Sequence, residues 1–179
     1  MKIYTKTGDM GETALLGGKR VSKSCVEMHA IGEVDELNGA LGVLSAQLVD
    51  VRIQAKIQRA QHVLFNLGAN LAAAQTDLVQ VPKVTDTQVE EVEQWIDAME
   101  AELPALTQFI LPGGSKAGAQ SFFARAICRR AERQVVWFGE NVRLDPNLQK
   151  YLNRLSDALF VLGRFLNKQA DHPEITWEK

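Results

Sequence analysis

Cysteine and histidine are scarce in this chain, at two and three among 179 residues. Cys25 and Cys128 lie far apart with no CxxC or Cys/His spacing, so neither a disulfide framework nor a zinc site is indicated, and both are expected to be reduced. His29, His62 and His172 take part in no ExxH repeat, so they do not make the facing ligands of a di-iron bundle. Long apolar runs are missing as well. Nothing approaches the roughly 18 consecutive apolar residues of a membrane span, and the N-terminus has no apolar run of the secretory kind. A cytoplasmic protein with no membrane partner is the expectation. The net charge of −2 speaks against nucleic-acid binding through an overall field, although a local basic cluster can still hold an anion. No alternating strand pattern, internal repeat, low-complexity tract or second-domain linker is found.

What is present is helical periodicity. With 46% hydrophobic and 23% charged residues, wholesale disorder is implausible. A chain of this length fits one domain burying about two thirds of its unfolded surface. A first helix spans about Val26 to Leu48 through Ile31, Val34, Leu37, Leu41 and Leu44, and a second about Val51 to Ala74 through Ile53, Ile57, Leu64, Leu67 and Leu71. Thr85 and Gln88 form a capping box that opens a third, ending near Pro104. Pro112-Gly113-Gly114 breaks the chain, Ser115 caps a fourth helix running to about Gly139, and Asp145-Pro146 starts a fifth that ends near Ala170. The expected fold is all-α: an up-and-down five-helix bundle over 26–170, with an irregular loop at 1–25 and a tail at 171–179.

Charge is concentrated on the fourth helix. In "ARAICRRAER", Arg125, Arg129 and Arg133 follow i, i+4, i+8 and lie on one face beside Arg130 and Glu132. Such a stripe needs acidic residues on a neighbouring helix, a neighbouring subunit or a polyanion to offset its repulsion, and arginine suits two-pronged phosphate binding. Otherwise it is a solvated basic face. On the first helix Glu33, Asp35 and Glu36 cluster, and Asp35 is a candidate partner for one of the arginines. On the fifth, Asn153 and Asp157 share a face and Arg154 can reach Asp157. In the N-terminal "TKTGDMGET", Gly8 and Gly11 permit an anion-holding nest of amides, with hydroxyls from Thr5, Thr7 and Thr13 and a charge from Lys6. It is not the GxxxxGK[ST] loop, and alone it reads little better than a flexible tail.

Taken in order, "TKTGDMGETALLGGKRVSK", "GEVDELNGALG", "LPGGSKAGAQSFFARAICRRAER" and "NRLSDALFVLGR" resemble the PduO-type ATP:cob(I)alamin adenosyltransferases, from about Tyr4 to Arg164. The resemblance implies a five-helix bundle assembling as a homotrimer with active sites at subunit interfaces. It implies transfer of the 5′-deoxyadenosyl group of ATP to cob(I)alamin, giving adenosylcobalamin and triphosphate, with Mg2+ bridging phosphate oxygens. A nucleotide site of Thr5, Lys6, Thr7, Gly8, Thr13, Ala14, Lys23, Arg129, Arg130, Glu132, Arg133 and Asn153 is implied. The resemblance places Phe109 under the corrin, excluding a lower axial ligand from cobalt, and makes Asp35 and Arg129 a pair bridging subunits. Catalytic weight falls on Arg129, Arg133, Phe109 and Asp35, with no protein-held metal. An electron-donating reductase and an adenosylcobalamin-dependent client enzyme are the implied partners.

The chain departs from the family pattern at Glu27 and His29, before the first helix's motif, and at Ser121-Phe122. The competing readings are a non-catalytic corrinoid or nucleotide carrier, a plain helical interaction module, and an ATP phosphotransferase. The triphosphate-type motifs disfavour the first. The phosphate-like loop and lack of a signal peptide disfavour the second, and the lack of a residue to activate a hydroxyl acceptor disfavours the third.

Overall fold

The computed structural model describes residues 2–178; Met1 and Lys179, the outermost residues of the expected loop and tail, lie outside the described residues. Five helices carry the fold: α1 (Val26–Ser45), α2 (Val51–Ala73), α3 (Asp86–Glu100), α4 (Lys116–Gly139) and α5 (Pro146–Gln169). Their starts are set by local chemistry. Asp50 accepts the amide of Arg52, Asp145 accepts that of Asn147 just before Pro146, and Thr85 and Gln88 close a reciprocal capping box. The apolar positions of all five helices meet in one core, with Leu37, Leu64, Phe138, Tyr151 and Leu155 almost wholly buried.

The start of α4 is fastened to the end of α5 by a buried amide. Asn167 is 3% exposed. Its Oδ1 accepts the Ser115 amide at 2.9 Å and the Ser115 hydroxyl at 3.0 Å, while its Nδ2 donates to the Gly113 carbonyl at 2.8 Å. The amide side chain fits because Gly114, at φ +105, and Gly118 carry no Cβ; a methyl at either position would overlap Asn167. This accounts physically for "PGGSKAG". Asn167→Ala would leave the half-buried Ser115 N–H and Gly113 C=O without this partner, and is expected to lower stability by about 1–2 kcal/mol, measured as a lower urea midpoint with unchanged slope.

One expectation is corrected. The N-terminal segment is not irregular throughout, because Glu12–Ala14 (β1) and Arg20–Ser22 (β2) form an antiparallel hairpin with Thr13 opposite Val21. The hairpin tip docks on the C-terminal end of α2: Gly17 packs against Thr76, and Lys19 donates to Gln75, which in turn donates to Glu27 at 2.7 Å. Up-and-down connectivity therefore puts the hairpin at the end of the bundle where α2 and α4 finish and α1 begins. At the opposite end α3 and α5 finish and α4 begins. There the segment after α5 does not trail away: Ile110 and Thr176 form an antiparallel bridge, flanked by hydrogen bonds from Leu111 N–H to Ile175 O and from Trp177 N–H to Phe109 O, each 2.8 Å.

Candidate active site

The arginines of α4 have unlike surroundings. Arg125 is half-buried with its guanidinium 5.4 Å from the Phe160 ring centroid, a packed cation–π arrangement. Arg130 donates through Nε to Glu33 at 2.5 Å and through Nη2 to Glu36, which holds its pKa above the usual arginine value. Those bonds take two of its five donors. Arg129 and Arg133 are exposed, and among the described residues neither has a carboxylate within ion-pair distance. Two of the three stripe arginines thus project into solvent with their charge unmet among the described residues.

The acidic cluster of α1 does meet α4, but through a different pair of residues from the one expected. Glu33 and Glu36 are three apart and face Arg130, whereas Asp35 is exposed on another side of α1 and forms no ion pair among the described residues. Asp35 is therefore not an in-chain partner of these arginines. Beside them, Glu132 accepts from Asn153 Nδ2 at 3.0 Å, Asn153 Oδ1 accepts from Arg154 at 2.8 Å, and Arg154 donates to Glu93 at 2.7 Å. Arg154 reaches Asp157 only at 3.9 Å. This relay across α4, α5 and α3 fixes the Glu132 and Asn153 side chains next to the two open arginines.

The N-terminal residues gather at the hairpin. Thr5 and Thr7 share a hydroxyl hydrogen bond of 2.9 Å, and Arg20 donates to the Thr7 carbonyl at 2.9 Å. Lys6, between them, has φ +60, a left-handed conformation uncommon for a side-chain-bearing residue. The backbone at Gly8 runs so close to Lys23 that a Cβ there would stand 3.1 Å from Nζ, and Lys23 N–H bonds Gly11 O at 2.8 Å. Thr13 and Ala14 belong to β1. Phe109 stands apart from all of these. It precedes α4, so Arg129 lies about 20 Å further along that helix at 1.5 Å per residue. The Phe109 ring is 79% exposed and meets Trp177 edge-on, with centroids 6.4 Å apart. One chain thus carries three separate pieces: a cationic hydroxyl-bearing loop, an open arginine face and an exposed aromatic.

The remaining residues of interest fall into place around these pieces. Glu27 is buried, and its carboxyl is held below the usual range by its own backbone amide, then by the Cys25 thiol and Gln75. Ser121 is buried and donates to the Leu159 carbonyl at 2.7 Å, and Phe122 packs on Gly163 and Phe160. The departures at these three positions are therefore absorbed in packing, while His29 is exposed. Both cysteines are free, and burial pushes the Cys128 thiol up, far from nucleophilic range. A cavity of about 670 Å³ between the end of α2 and the α4–α5 turn is lined by Asn70, Thr76, Lys83 and Arg143 and by none of the expected site residues. Among the described residues no group of three or more His, Cys, Asp or Glu side chains converges as a metal site, and no helix is long and apolar enough to cross a membrane.

Fold and charge together define a class: an antiparallel helical bundle whose unpaired cations and flanking hydroxyls suit a polyanionic ligand. Comparison with known proteins gives the family. The model of the cobalamin adenosyltransferase family matches residues 3–166. A cobalamin adenosyltransferase of Cupriavidus metallidurans is 41% identical over 99% of this chain and 95% of its own length. The corrinoid adenosyltransferase of Bacillus subtilis is 39% identical over 100% and 93%. A variant PduO-type ATP:corrinoid adenosyltransferase of Lactobacillus reuteri, solved with cobalamin and ATP, superposes with a TM-score of 0.94 at 32% identity, covering 99% of this chain and 100% of that one. The chain belongs to the cobalamin adenosyltransferase family.

Proposed function

We propose that this corrinoid adenosyltransferase forms adenosylcobalamin from ATP by direct attack of cob(I)alamin, with the residues gathered above dividing the work. The observation that carries the reading is the pair of exposed arginines, Arg129 and Arg133, unpaired among the described residues beside an ordered Glu132–Asn153 relay. In the reaction the electron pair of Co(I) forms a bond to the ribose C5′ carbon while the C5′–O bond breaks and its electrons leave on triphosphate. Co(I) is nucleophilic enough to need no general base. What the protein supplies is alignment of carbon with cobalt and stabilisation of charge growing on the leaving oxygen. Arg129 and Arg133, the spare donors of Arg130, and Lys6 and Lys23 fit that second task. Thr5, Thr7, Gly8, Thr13 and Ala14 form the loop around the phosphates, and Mg2+ arrives on the nucleotide as part of the substrate.

The site is proposed to be completed in a homotrimer. In a single chain Phe109 and the nucleotide residues sit at different levels of the bundle, and Asp35 is exposed with no ion-pair partner among the described residues, as a residue awaiting Arg129 of another copy would be. Asp35→Asn is accordingly expected to weaken both assembly and corrin binding. Sedimentation showing an unchanged trimer and titration showing unchanged corrin affinity would remove that assignment. The reaction itself is tested by anaerobic incubation with ATP, Mg2+ and chemically reduced cobalamin. Adenosylcobalamin and intact triphosphate are expected in equal amounts; release of pyrophosphate or phosphate from the same step would contradict it. A reductase donor and a client enzyme taking the product are the partners this chemistry calls for.

A further inference from the structure

Phe109 needs a support of its own. An aromatic side chain 79% exposed on an irregular connection would reorient on the picosecond-to-nanosecond scale, whereas shielding one face of a metal requires a fixed ring. The ring's neighbours are supplied by the segment after α5: the Trp177 amide bonds the Phe109 carbonyl, the Trp177 and Phe109 rings meet in a T-shaped arrangement, and Leu111 bonds Ile175. A pairing of three residues with three, through one bridge, cannot hold itself in place. The anchor is Arg164, 4% exposed near the end of α5. It donates in a fork to Glu174, from Nε at 2.6 Å and from Nη2 at 3.3 Å, and from Nη2 to the Pro104 carbonyl at 2.9 Å. One guanidinium thereby joins α5, the segment that follows it, and the start of the connection carrying Phe109.

We propose that Arg164 is a positioning residue for the corrin half of the reaction, acting through Glu174 to clamp residues 175–177 onto 109–111 and so orient the Phe109 ring. The proposal rests on the reading of Phe109 as the residue that excludes cobalt's lower ligand. A two-pronged, largely buried charge pair is the strong kind of hydrogen bond, and a lysine, with a single compact charge, cannot reproduce both prongs and the Pro104 contact. The clamp and the α4 arginines lie toward different ends of the bundle, so its loss should reach corrin chemistry and leave ATP binding alone.

The test uses Glu174→Gln, which sits on the terminal segment outside the core, together with Arg164→Lys. In the ligand-free protein, hydrogen exchange at the Leu111 and Trp177 amides is expected to quicken by about tenfold in Glu174→Gln, well beyond any change at the core amides of α1 and α4. With ATP and cob(II)alamin added, the electron paramagnetic resonance signal of four-coordinate Co(II) should fall severalfold, the KM for ATP should stay at its wild-type value, and Arg164→Lys should lie between. Wild-type exchange, or faster exchange with an undiminished four-coordinate signal, overturns the proposal. Phe109→Ala is measured alongside. If it abolishes the signal while Glu174→Gln keeps it, the clamp is wrong and the reading of Phe109 stands; if Phe109→Ala keeps the signal, that reading falls and the clamp's role falls with it.

Discussion

Arg133→Ala is expected to lower turnover about a hundredfold while leaving the melting temperature where it was. The rate loss follows from removing one donor aimed at the departing triphosphate, worth about 3 kcal/mol of barrier in comparable sites. The unchanged stability follows from its setting: the side chain is exposed and bonds no carboxylate among the described residues. Arg130→Ala supplies the contrast. Its guanidinium holds α4 to Glu33 and Glu36 on α1, so that variant should unfold more readily, by about 1 kcal/mol once the partial exposure of the pair is allowed for. Steady-state kinetics beside thermal melts would separate the two. An Arg133→Ala protein with wild-type kcat would remove Arg133 from the site.

Phe109→Ala should split the reaction into its halves. Supplied with cobalamin already reduced to Co(I), the variant is expected to keep most of its alkylation rate, because the carbon–cobalt alignment does not depend on the lower face. Supplied with Co(II) and a mild electron donor, it should fail. A lone-pair donor returning beneath cobalt makes the one-electron reduction harder, and each ~59 mV of lost potential lowers the Co(I) population about tenfold. A shift of only ~120 mV therefore gives about a hundredfold loss. Since the ring is mostly solvent-exposed, its removal opens no core cavity and stability should barely change. Equal activity from Co(II) in variant and wild type would contradict the assignment.

The helices were legible because their ends are written in short-range chemistry. Thr85 with Gln88, Ser115, and Asp145 with Pro146 act within four residues, and all three caps form where those residues stand. The hairpin was not legible. Strands of three residues are too short to show alternation, and Gly17 and Gly18, at φ +88 and +86, are the feature that turns the chain there. The direction of the acidic cluster was half legible: an α1–α4 charge contact exists, but the spacing of apolar Val34 and Leu37 puts Glu33 and Glu36, not Asp35, beside α4.

The pairing of residues 109–111 with 175–177 left no sequence signal, being a single bridge between segments more than sixty residues apart. Asn167 and Arg164 were likewise hidden. Each is a polar residue within an apolar helix face, and its meaning depends on the Pro104 and Gly113 carbonyls of the α3–α4 connection and, for Arg164, on the Glu174 carboxylate that folds back after α5. Conversely, the grouping of Thr5, Thr7, Gly8 and Lys23 could be named from the motif order, while the close backbone approach at Gly8 emerges only in three dimensions.

The central claim is that cobalt attacks the C5′ carbon of ATP at a site walled by Arg129, Arg133 and the N-terminal loop. The most direct measurement is the fate of ATP carrying 13C at C5′, incubated anaerobically with the protein, Mg2+ and cob(I)alamin and followed by NMR. The label is expected to appear on carbon bonded to cobalt, with one unlabelled triphosphate released for each. Label that remains in an adenosine phosphate, with the corrin unalkylated, would contradict the account.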